Sequence, residues 1–229
     1  MTVVALIHAT PAAMAPARAA FAERFPQAQL WNLLDDRLIA EAEAAGGLTP
    51  ALRHRMRTLI GHAVDGGADA VLLSCSMYGP VAVEAAEGYP VPVLASDQAL
   101  FDAVASRVAR QDRDSGAARR VAVLGPIRAG VDDTVARLRD RLGPGDAVIT
   151  GTVVDGVHAA AGDLSRLAQL VVDAARQVER SADVIVLGQF SISPAQPAVQ
   201  AAVGVPVLSP THLAADVLRA QLATAGAAR

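Results

Sequence analysis

The sequence has 229 residues, of which 52% are hydrophobic and 19% charged, and its formal net charge is −3 at pH 7. This balance is typical of a globular protein, and it provides no basic surface for nucleic acid or for an anionic membrane. All 20 residues of the Lys and Arg class are arginine. The chain therefore lacks the lysine that a pyridoxal phosphate enzyme or a phosphate-binding P-loop requires.

Apolar strand segments alternate with alanine-rich helical segments, which predicts an α/β fold. The predicted strands are Val3–His8, Gln29–Asn32, Ala70–Ser74, Val91–Ala95, Val121–Gly125, Ala147–Thr150, Val184–Leu187 and Val205–Leu208. The predicted helices are Ala15–Arg24, Pro50–Gly66, Val81–Glu87, Gln98–Arg110, Asp132–Arg141, Ser165–Arg180, Pro197–Val203 and His212–Ala223. Several strands are continuous runs of Val, Ile and Leu, as expected for parallel strands that helices cover on both faces.

Two segments recur at the same spacing. The run that begins at Asp69 and ends in Ser-Cys-Ser has a counterpart that begins at Asp183, and Val-Pro-Val-Leu occurs at 91–94 and again at 205–208. Chance could produce one such match, but two matches in one register are better explained by duplication. We therefore predict two duplicated parallel-sheet α/β halves, 1–112 and 113–229, related by a pseudo-dyad with the active-site cleft between them. The polar segment 111–120 is the expected linker, and the last helix could pack on the first half.

Polar residues follow several predicted strands, and ligands of parallel α/β sheets bind at the carboxyl ends of the strands. Cys75, the only cysteine, follows the motif strand of the first half, whereas Gln189 has the equivalent position in the second half. Cys75 and His8 are the candidate catalytic residues. The candidate substrate-binding residues are Thr10, Asn32, Ser76, Met77, Arg128, His158, Gln189, Phe190 and Ser191.

Each candidate also has a structural interpretation. A lone cysteine is often a small buried hydrophobe, although a thiol at the start of a helix is activated by the backbone N–H groups there. His8 could be a packing residue, and Asn32 could cap a helix or turn rather than contact a ligand. Arg128 and His158 could be surface residues.

The remaining composition predicts neither a metal nor a cofactor. The five histidines and the single cysteine have no ligand-like spacing. No apolar run reaches the roughly 20 residues of a membrane span, and no basic segment precedes Val3, so no signal peptide is expected. We predict a cytoplasmic protein on this basis.

Taken together, Ser74-Cys75-Ser76, Leu6-Ile-His-Ala-Thr10 and Trp31-Asn-Leu-Leu-Asp-Asp36 resemble the aspartate/glutamate/hydantoin racemase superfamily over nearly the full chain. The resemblance implies two α/β halves, no cofactor, a homodimer, and a small carboxylate, amino-acid or cyclic-amide substrate. It also implies one cysteine in each half, and the second-half segment Gly188-Gln-Phe-Ser191 lacks its thiol.

The missing thiol leaves three functions open. Racemases of this type use two thiols on opposite faces of the carbon, and Gln189 has no titratable proton with which to replace the second thiol. One-sided proton transfer by Cys75, as an isomerase or lyase, is the leading interpretation. The alternatives are a single-cysteine decarboxylase of malonate-type acids and a small-molecule binding protein that has lost catalysis.

Overall fold

The computed structural model of the protein describes residues 1–110, 119–160 and 162–227. The chain divides into two compact units. Unit 1 comprises Met1–Ala99 and Thr211–Arg229, and unit 2 comprises Leu100–Pro210. The predicted boundary at 112/113 lies outside the described residues and stays a prediction. Relative to the predicted halves, the helix before that boundary belongs mostly to unit 2 and the C-terminal helix belongs to unit 1.

Unit 1 contains a four-stranded parallel sheet. Its strands are β1 (Thr2–His8), β2 (Ala28–Leu34), β3 (Ala70–Leu73) and β4 (Val93–Leu94), in the order β2-β1-β3-β4. All four residues of β3 are buried, as expected for a parallel strand that is covered on both faces.

The helices of unit 1 are α1 (Met14–Arg24), α2 (Leu38–Ala44), α3 (Pro50–Asp65), α4 (Gly79–Ala86) and most of α9 (Pro210–Ala227). Local sequence defines the start of α3, where the Thr49 side chain accepts a hydrogen bond from the Leu52 N–H at 3.2 Å and Pro50 has the first helical position. One face of the sheet packs with α2, α3 and α4 in an apolar cluster that includes Ile7, Leu73 and Met56.

Unit 2 repeats this sheet. Its strands are β5 (Arg119–Gly125), β6 (Ala147–Val153), β7 (Val184–Leu187) and β8 (Val207–Leu208), in the order β6-β5-β7-β8. Its helices are α5 (Gln98–Arg110), α6 (Arg128–Leu142), α7 (Leu164–Val178) and α8 (Gln196–Ala202). Asp163 caps α7 by accepting a hydrogen bond from the Arg166 N–H at 2.9 Å.

The two sheets have the same strand register. β1 pairs with all seven residues of β2, and β5 pairs with all seven residues of β6, from first residue to first residue. The aspartate that opens each motif run has the same role in both units. Asp69 accepts a hydrogen bond from the Val3 N–H at 2.8 Å, and Asp183 accepts one from the Arg120 N–H at 2.9 Å. The prediction of two duplicated parallel α/β sheets is confirmed, whereas the pseudo-dyad and the cleft stay predictions.

Two details differ from the predicted elements. The short helix α2 is missing from the predictions, because its seven residues are too few for a helical repeat to stand out. The fourth strand of each sheet has only two residues and begins just after Pro92 or Pro206. Proline has no N–H to donate to the ladder, so pairing is shortened there.

Within the described parts of the chain, no helix is both long and apolar enough to cross a membrane. The same residues contain no group of three or more His, Cys, Asp and Glu side chains that could hold a metal ion.

Candidate functional site

Cys75 lies at the carboxyl end of the unit 1 sheet, two residues past the end of β3. Its backbone is extended, with φ −114° and ψ 119°, and a 3₁₀ turn at Ser76–Tyr78 leads from it directly into α4. The side chain is half-buried against the apolar cluster of unit 1. The thiol thus lies between a strand end and a helix start, where backbone N–H groups favour bound anions and a thiolate.

A chain of three hydrogen-bonded polar side chains, the buried His8 and Ser74 and the partly buried Asn32, lies next to Cys75. His8 ends β1, and its Nδ1 is 2.8 Å from the Ser74 hydroxyl, while its Nε2 is 3.0 Å from the Asn32 amide oxygen. An amide oxygen only accepts hydrogen bonds, so Nε2 carries the ring hydrogen. Nδ1 is then an acceptor, and Ser74 donates its hydroxyl hydrogen to it. The sheet register makes this arrangement, since Ser74 and Asn32 flank β1 on its two sides.

His8 is held as a neutral imidazole. Its side chain is fully buried, and burial lowers the pKa of His8 below its ordinary value of 6.5, against a smaller opposite effect of the Asn32 hydrogen bond. Burial disfavours the charged form because a low-polarity interior solvates it poorly. With both ring nitrogens bonded to protein side chains, His8 can orient Ser74.

Tyr78 lies under the turn that follows Cys75. Its ring is fully buried, its hydroxyl donates to the Leu38 carbonyl at 3.0 Å, and its N–H donates to the Cys75 carbonyl at 3.2 Å. Burial, followed by the negative charges of Cys75 and Asp35, raises the pKa of Tyr78 to about 12. Tyr78 is therefore a neutral phenol at pH 7 and does not repel a thiolate at Cys75.

An ion-pair network holds the chain that follows β2. Arg55 on α3 lies 2.6 Å from the Asp35 carboxylate and 3.1 Å from the Glu41 carboxylate. The Asp35 N–H donates to the His8 carbonyl at 3.0 Å. Together with the bond from Tyr78 to Leu38, these contacts fix α2 beside the carboxyl end of the sheet.

The structure locates each predicted site residue of the first half. Thr10 is partly exposed, and its hydroxyl accepts a hydrogen bond from the Ala12 N–H at 3.4 Å, so it caps a short 3₁₀ turn. Ser76 and Met77 form the turn after Cys75 and are partly exposed. Asn32 lies inside β2 and bonds His8, so the interpretation of Asn32 as a helix or turn cap is wrong.

The predicted residues of the second half follow the strands of unit 2. Gln189 and Ser191 are partly exposed, whereas Phe190 is buried. Arg128 begins α6, and its guanidinium is 3.7 Å from the Asp132 carboxylate in an exposed ion pair. His158 begins a 3₁₀ turn at His158–Ala160.

Glycines replace these three polar side chains in unit 2. Gly125 ends β5 as His8 ends β1, Gly151 is the fifth residue of β6 as Asn32 is of β2, and Gly188 follows β7 as Ser74 follows β3. A Cβ on Gly125 would lie 2.7 Å from Val131 Cγ2, and a Cβ on Gly151 would also collide with Val131. Helix α6 therefore occupies the space that these side chains would need.

The sequence reasoning missed Ser74 and Tyr78. Both belong to the segment around Cys75, yet their partners are far along the chain, at His8 and Leu38. The signal for Ser74 was the repeat itself, since a glycine has the equivalent position in unit 2.

Known protein families and structures indicate the family and the fold of the chain. The family model described as Asp/Glu/Hydantoin racemase matches residues 14–218. No curated protein matches the chain at a significant level.

Solved structures of racemases and of a decarboxylase resemble the fold. Allantoin racemase from Klebsiella pneumoniae has a TM-score of 0.71 at 14% identity, with 98% of this chain and 89% of that chain covered. Glutamate racemase from Thermus thermophilus in complex with β-chloro-D-alanine has a TM-score of 0.66 at 17% identity, with 98% and 82% covered. Unliganded arylmalonate decarboxylase has a TM-score of 0.60 at 22% identity, with 96% and 92% covered. At these identities the likeness concerns the fold.

Proposed function

The chain belongs to the Asp/Glu/hydantoin racemase family, and from this premise we propose that Cys75 transfers a proton at a carbon alpha to a carboxylate or amide group, without a cofactor. The observation that carries the proposal is the position of the only thiol. Cys75 is half-buried at a strand end, and a helix starts just after it. A thiolate there can remove a proton from carbon, and the thiol can return one.

The neighbourhood of Cys75 supports this chemistry. Removal of the proton leaves negative charge on the carboxylate or amide oxygens, and hydrogen-bond donors aimed at those oxygens lower the barrier. We assign this role to the Ser76 hydroxyl and to the backbone N–H groups of Ser76 and Met77, since the Tyr78 N–H already donates to the Cys75 carbonyl. Both ring nitrogens of His8 have protein partners, so we propose that His8 acts on the reaction through Ser74.

The substrate class is taken from the names of the structural neighbours. They act on glutamate, allantoin and arylmalonate, which suggests a small carboxylate, amino acid or cyclic amide for this chain too. We keep as proposed substrate-binding residues Thr10, Asn32, Ser76, Met77, Arg128, His158, Gln189, Phe190 and Ser191. The homodimer and the cytoplasmic location also stay predictions.

The single thiol determines which reaction is proposed. Racemisation by two thiols needs a second cysteine, and the chain has one. One-sided proton transfer, as an isomerase or lyase, uses Cys75 alone. The second candidate is decarboxylation: the Cα–carboxylate bond breaks, CO₂ leaves, the electron pair forms an enediolate, and the Cys75 thiol protonates the carbon. The same observation of one thiol favours it, because this reaction needs only one acid.

Deuterium exchange tests the proposal. The protein is incubated in D₂O with amino acids, hydantoins and arylmalonates. ¹H NMR follows loss of the Cα–H signal, and ¹³C NMR follows release of CO₂ from arylmalonate labelled with ¹³C in its carboxylates. We expect turnover of at least one class by the wild type and none above background by Cys75→Ala. Exchange that persists in Cys75→Ala would contradict the assignment of the thiol.

The same experiment separates the remaining alternative, a binding protein without catalysis. Such a protein would show saturable line broadening of one ligand class and neither exchange nor CO₂ release. Binding without turnover across the whole panel would refute the proposed enzyme.

A further inference from the structure

A groove of about 620 Å³ lies in unit 1 between α1 and β2. Its walls include Arg18, Phe21 and Phe25 of the α1 segment, and Leu30 and Asn32 of β2. Volumes of this size, lined by apolar and aromatic side chains with a few polar groups, are typical of sites for small ligands.

The comparison with unit 2 explains why the groove exists. Helix α6 packs closely along β5 and β6, whereas α1 has few contacts with β2. In unit 2 the glycine at position 151 lets Val131 approach the strand. Asn32 has the equivalent position in unit 1, and its side chain together with His8 occupies that space. The helix is then displaced from the edge strand, and the groove remains.

The groove wall contains two hydrogen-bond donors that could serve a ligand. The amide oxygen of Asn32 is used by His8, so its NH₂ group points away from His8. Arg18 is exposed on α1. Counting only residues 1–110, 119–160 and 162–227, neither the Asn32 NH₂ nor the Arg18 guanidinium has a hydrogen-bond or ion-pair partner.

These donors lie towards the same end of the groove. Helix α1 begins at the carboxyl end of β1 and runs back along the sheet. Arg18 is four residues into α1, about 6 Å along its axis, and Asn32 is two residues from the end of β2, about 7 Å along the strand. Both polar groups are thus near the carboxyl end of the sheet, and the other end of the groove is apolar.

The apolar end is built from aromatic rings. Phe21 and Phe25 are buried, and their centroids are 6.5 Å apart with an interplanar angle of 26°. Leu30 and Ala28 of β2 and the adjoining Pro26 complete this part of the wall. The two rings form the floor of the groove, and an aromatic or branched aliphatic group would bury apolar surface chiefly against Leu30, Pro26 and the exposed alanines of α1.

We propose that this groove binds a small monocarboxylate with an aromatic or branched aliphatic body. The carboxylate accepts hydrogen bonds from the Arg18 guanidinium and the Asn32 amide, and the body lies against Leu30, Pro26 and the exposed alanines of α1. A single cation with one amide, and no acidic side chain in the wall, matches one negative charge. The groove wall contains neither Cys75 nor Ser76; it shares Asn32 with the proposed substrate-binding residues, and binding in the groove does not require the proposed reaction.

Calorimetric titration with phenylacetate tests the proposal. The full chain carrying Cys75→Ala is used, so that no reaction accompanies binding. We expect saturable binding, at least about 10-fold weaker for Arg18→Ala, since a charge-assisted hydrogen bond contributes about 1.5–3 kcal/mol and 1.4 kcal/mol is tenfold. Phenylacetamide, the neutral analogue, should bind at least about 10-fold more weakly than phenylacetate for the same reason.

Matched variants separate the groove from other sites. Arg166→Ala removes the same charge from an exposed position on α7 and should leave the affinity unchanged. Ala22→Trp fills the groove from the exposed side of α1 and should abolish binding, whereas Ala223→Trp on α9 should not. The proposal is overturned if phenylacetate does not bind saturably, or if Arg18→Ala and Ala22→Trp leave its affinity unchanged.

The results that would contradict the groove differ from those that would contradict the role of Cys75. If Cys75→Ala itself removed the phenylacetate binding seen with the wild type, the carboxylate would occupy the reaction site, and the groove would not be its site. Loss of exchange activity in Cys75→Ala with binding retained leaves the groove as a site of its own.

Discussion

The carboxyl ends of the two sheets differ at three matched positions, although the sheets share one register. Unit 1 has His8, Asn32 and Ser74, and unit 2 has Gly125, Gly151 and Gly188. The next residue along the motif differs too, with Cys75 in unit 1 and Gln189 in unit 2.

The polar residues at these positions are not needed to form the sheet. Unit 2 forms the same four-stranded sheet with no side chain at these positions, so the sheet does not require His8, Asn32 or Ser74. Burial of polar side chains is unfavourable unless they are hydrogen-bonded, and here they bond one another. Their presence beside the only thiol is consistent with a role in the proposed reaction.

The largest expected effect is on catalysis, when Cys75 of unit 1 is replaced by the glutamine that unit 2 has at the equivalent position. Cys75→Gln removes the proton-transferring group, and we expect the Cα–H exchange rate to fall by about 10²–10⁴-fold. Exchange in D₂O measured by NMR is the readout. Gln169→Asn at an exposed position on α7 serves as the control, because it changes neither the charge nor the thiol. If the exchange rate of Cys75→Gln stayed within a few-fold of the wild-type rate, the thiol at the end of β3 would not be the proton-transferring group.

The next effect concerns stability. His8→Ala leaves a cavity and removes the partners of Ser74 and Asn32, so we expect the free energy of unfolding to fall by about 2–4 kcal/mol. Urea unfolding measures it. The double variant with Ser74→Ala should show a coupling of about 0.5–3 kcal/mol, because the two side chains are in contact.

A second histidine is the control for this prediction. His54 on α3 is exposed, and His54→Ala should change the free energy of unfolding by less than about 0.5 kcal/mol. Additivity of His8→Ala and Ser74→Ala would contradict the hydrogen-bonded chain.

The next prediction concerns unit 2, where a side chain is added at a glycine instead of being removed. Gly125→Ala places a Cβ 2.7 Å from Val131 Cγ2, and Val131 is buried. We expect a loss of about 1–3 kcal/mol in urea unfolding, because a well-packed core resists an added methyl group. Gly88→Ala is the control, since its Cβ would meet only the Ala85 carbonyl oxygen at 3.6 Å. A Gly125→Ala protein as stable as wild type would show that α6 can move off the sheet.

The smallest expected effect is on pH dependence. The pKa of His8 is lower in the folded state than its ordinary value of 6.5, because the side chain is buried. The neutral His8 therefore contributes stability that is fully present above pH 6.5 and is lost as the pH falls through the lower folded pKa. His8→Gln should lack this loss, so the stability difference from wild type should change between pH 7.5 and pH 5 by urea unfolding. Parallel pH profiles would contradict a depressed pKa.

Much of the fold was predictable because its signals are local. Continuous Val, Ile and Leu runs predict the parallel strands, and Thr49 before Pro50 indicates the start of α3. Helix α2 escaped prediction because its seven residues are too few to show a helical repeat and its N-cap residue makes no side-chain capping hydrogen bond. The role of Asn32 was wrong for a related reason: an asparagine near a strand end favours capping by propensity, and its actual partner, His8, is 24 residues away.

By itself, the sequence determined the α/β alternation, the duplication, and the position of the single thiol at a strand end. Only the tertiary structure decided that Ser74 and His8, 66 residues apart, share a hydrogen bond, that Val131 fills the space above the glycines of unit 2, and that a groove opens beside β2. The physical reason is the range of the interactions. Strand and helix patterns depend on neighbours along the chain, whereas contacts between distant side chains depend on strand register and on how closely a helix packs against the sheet.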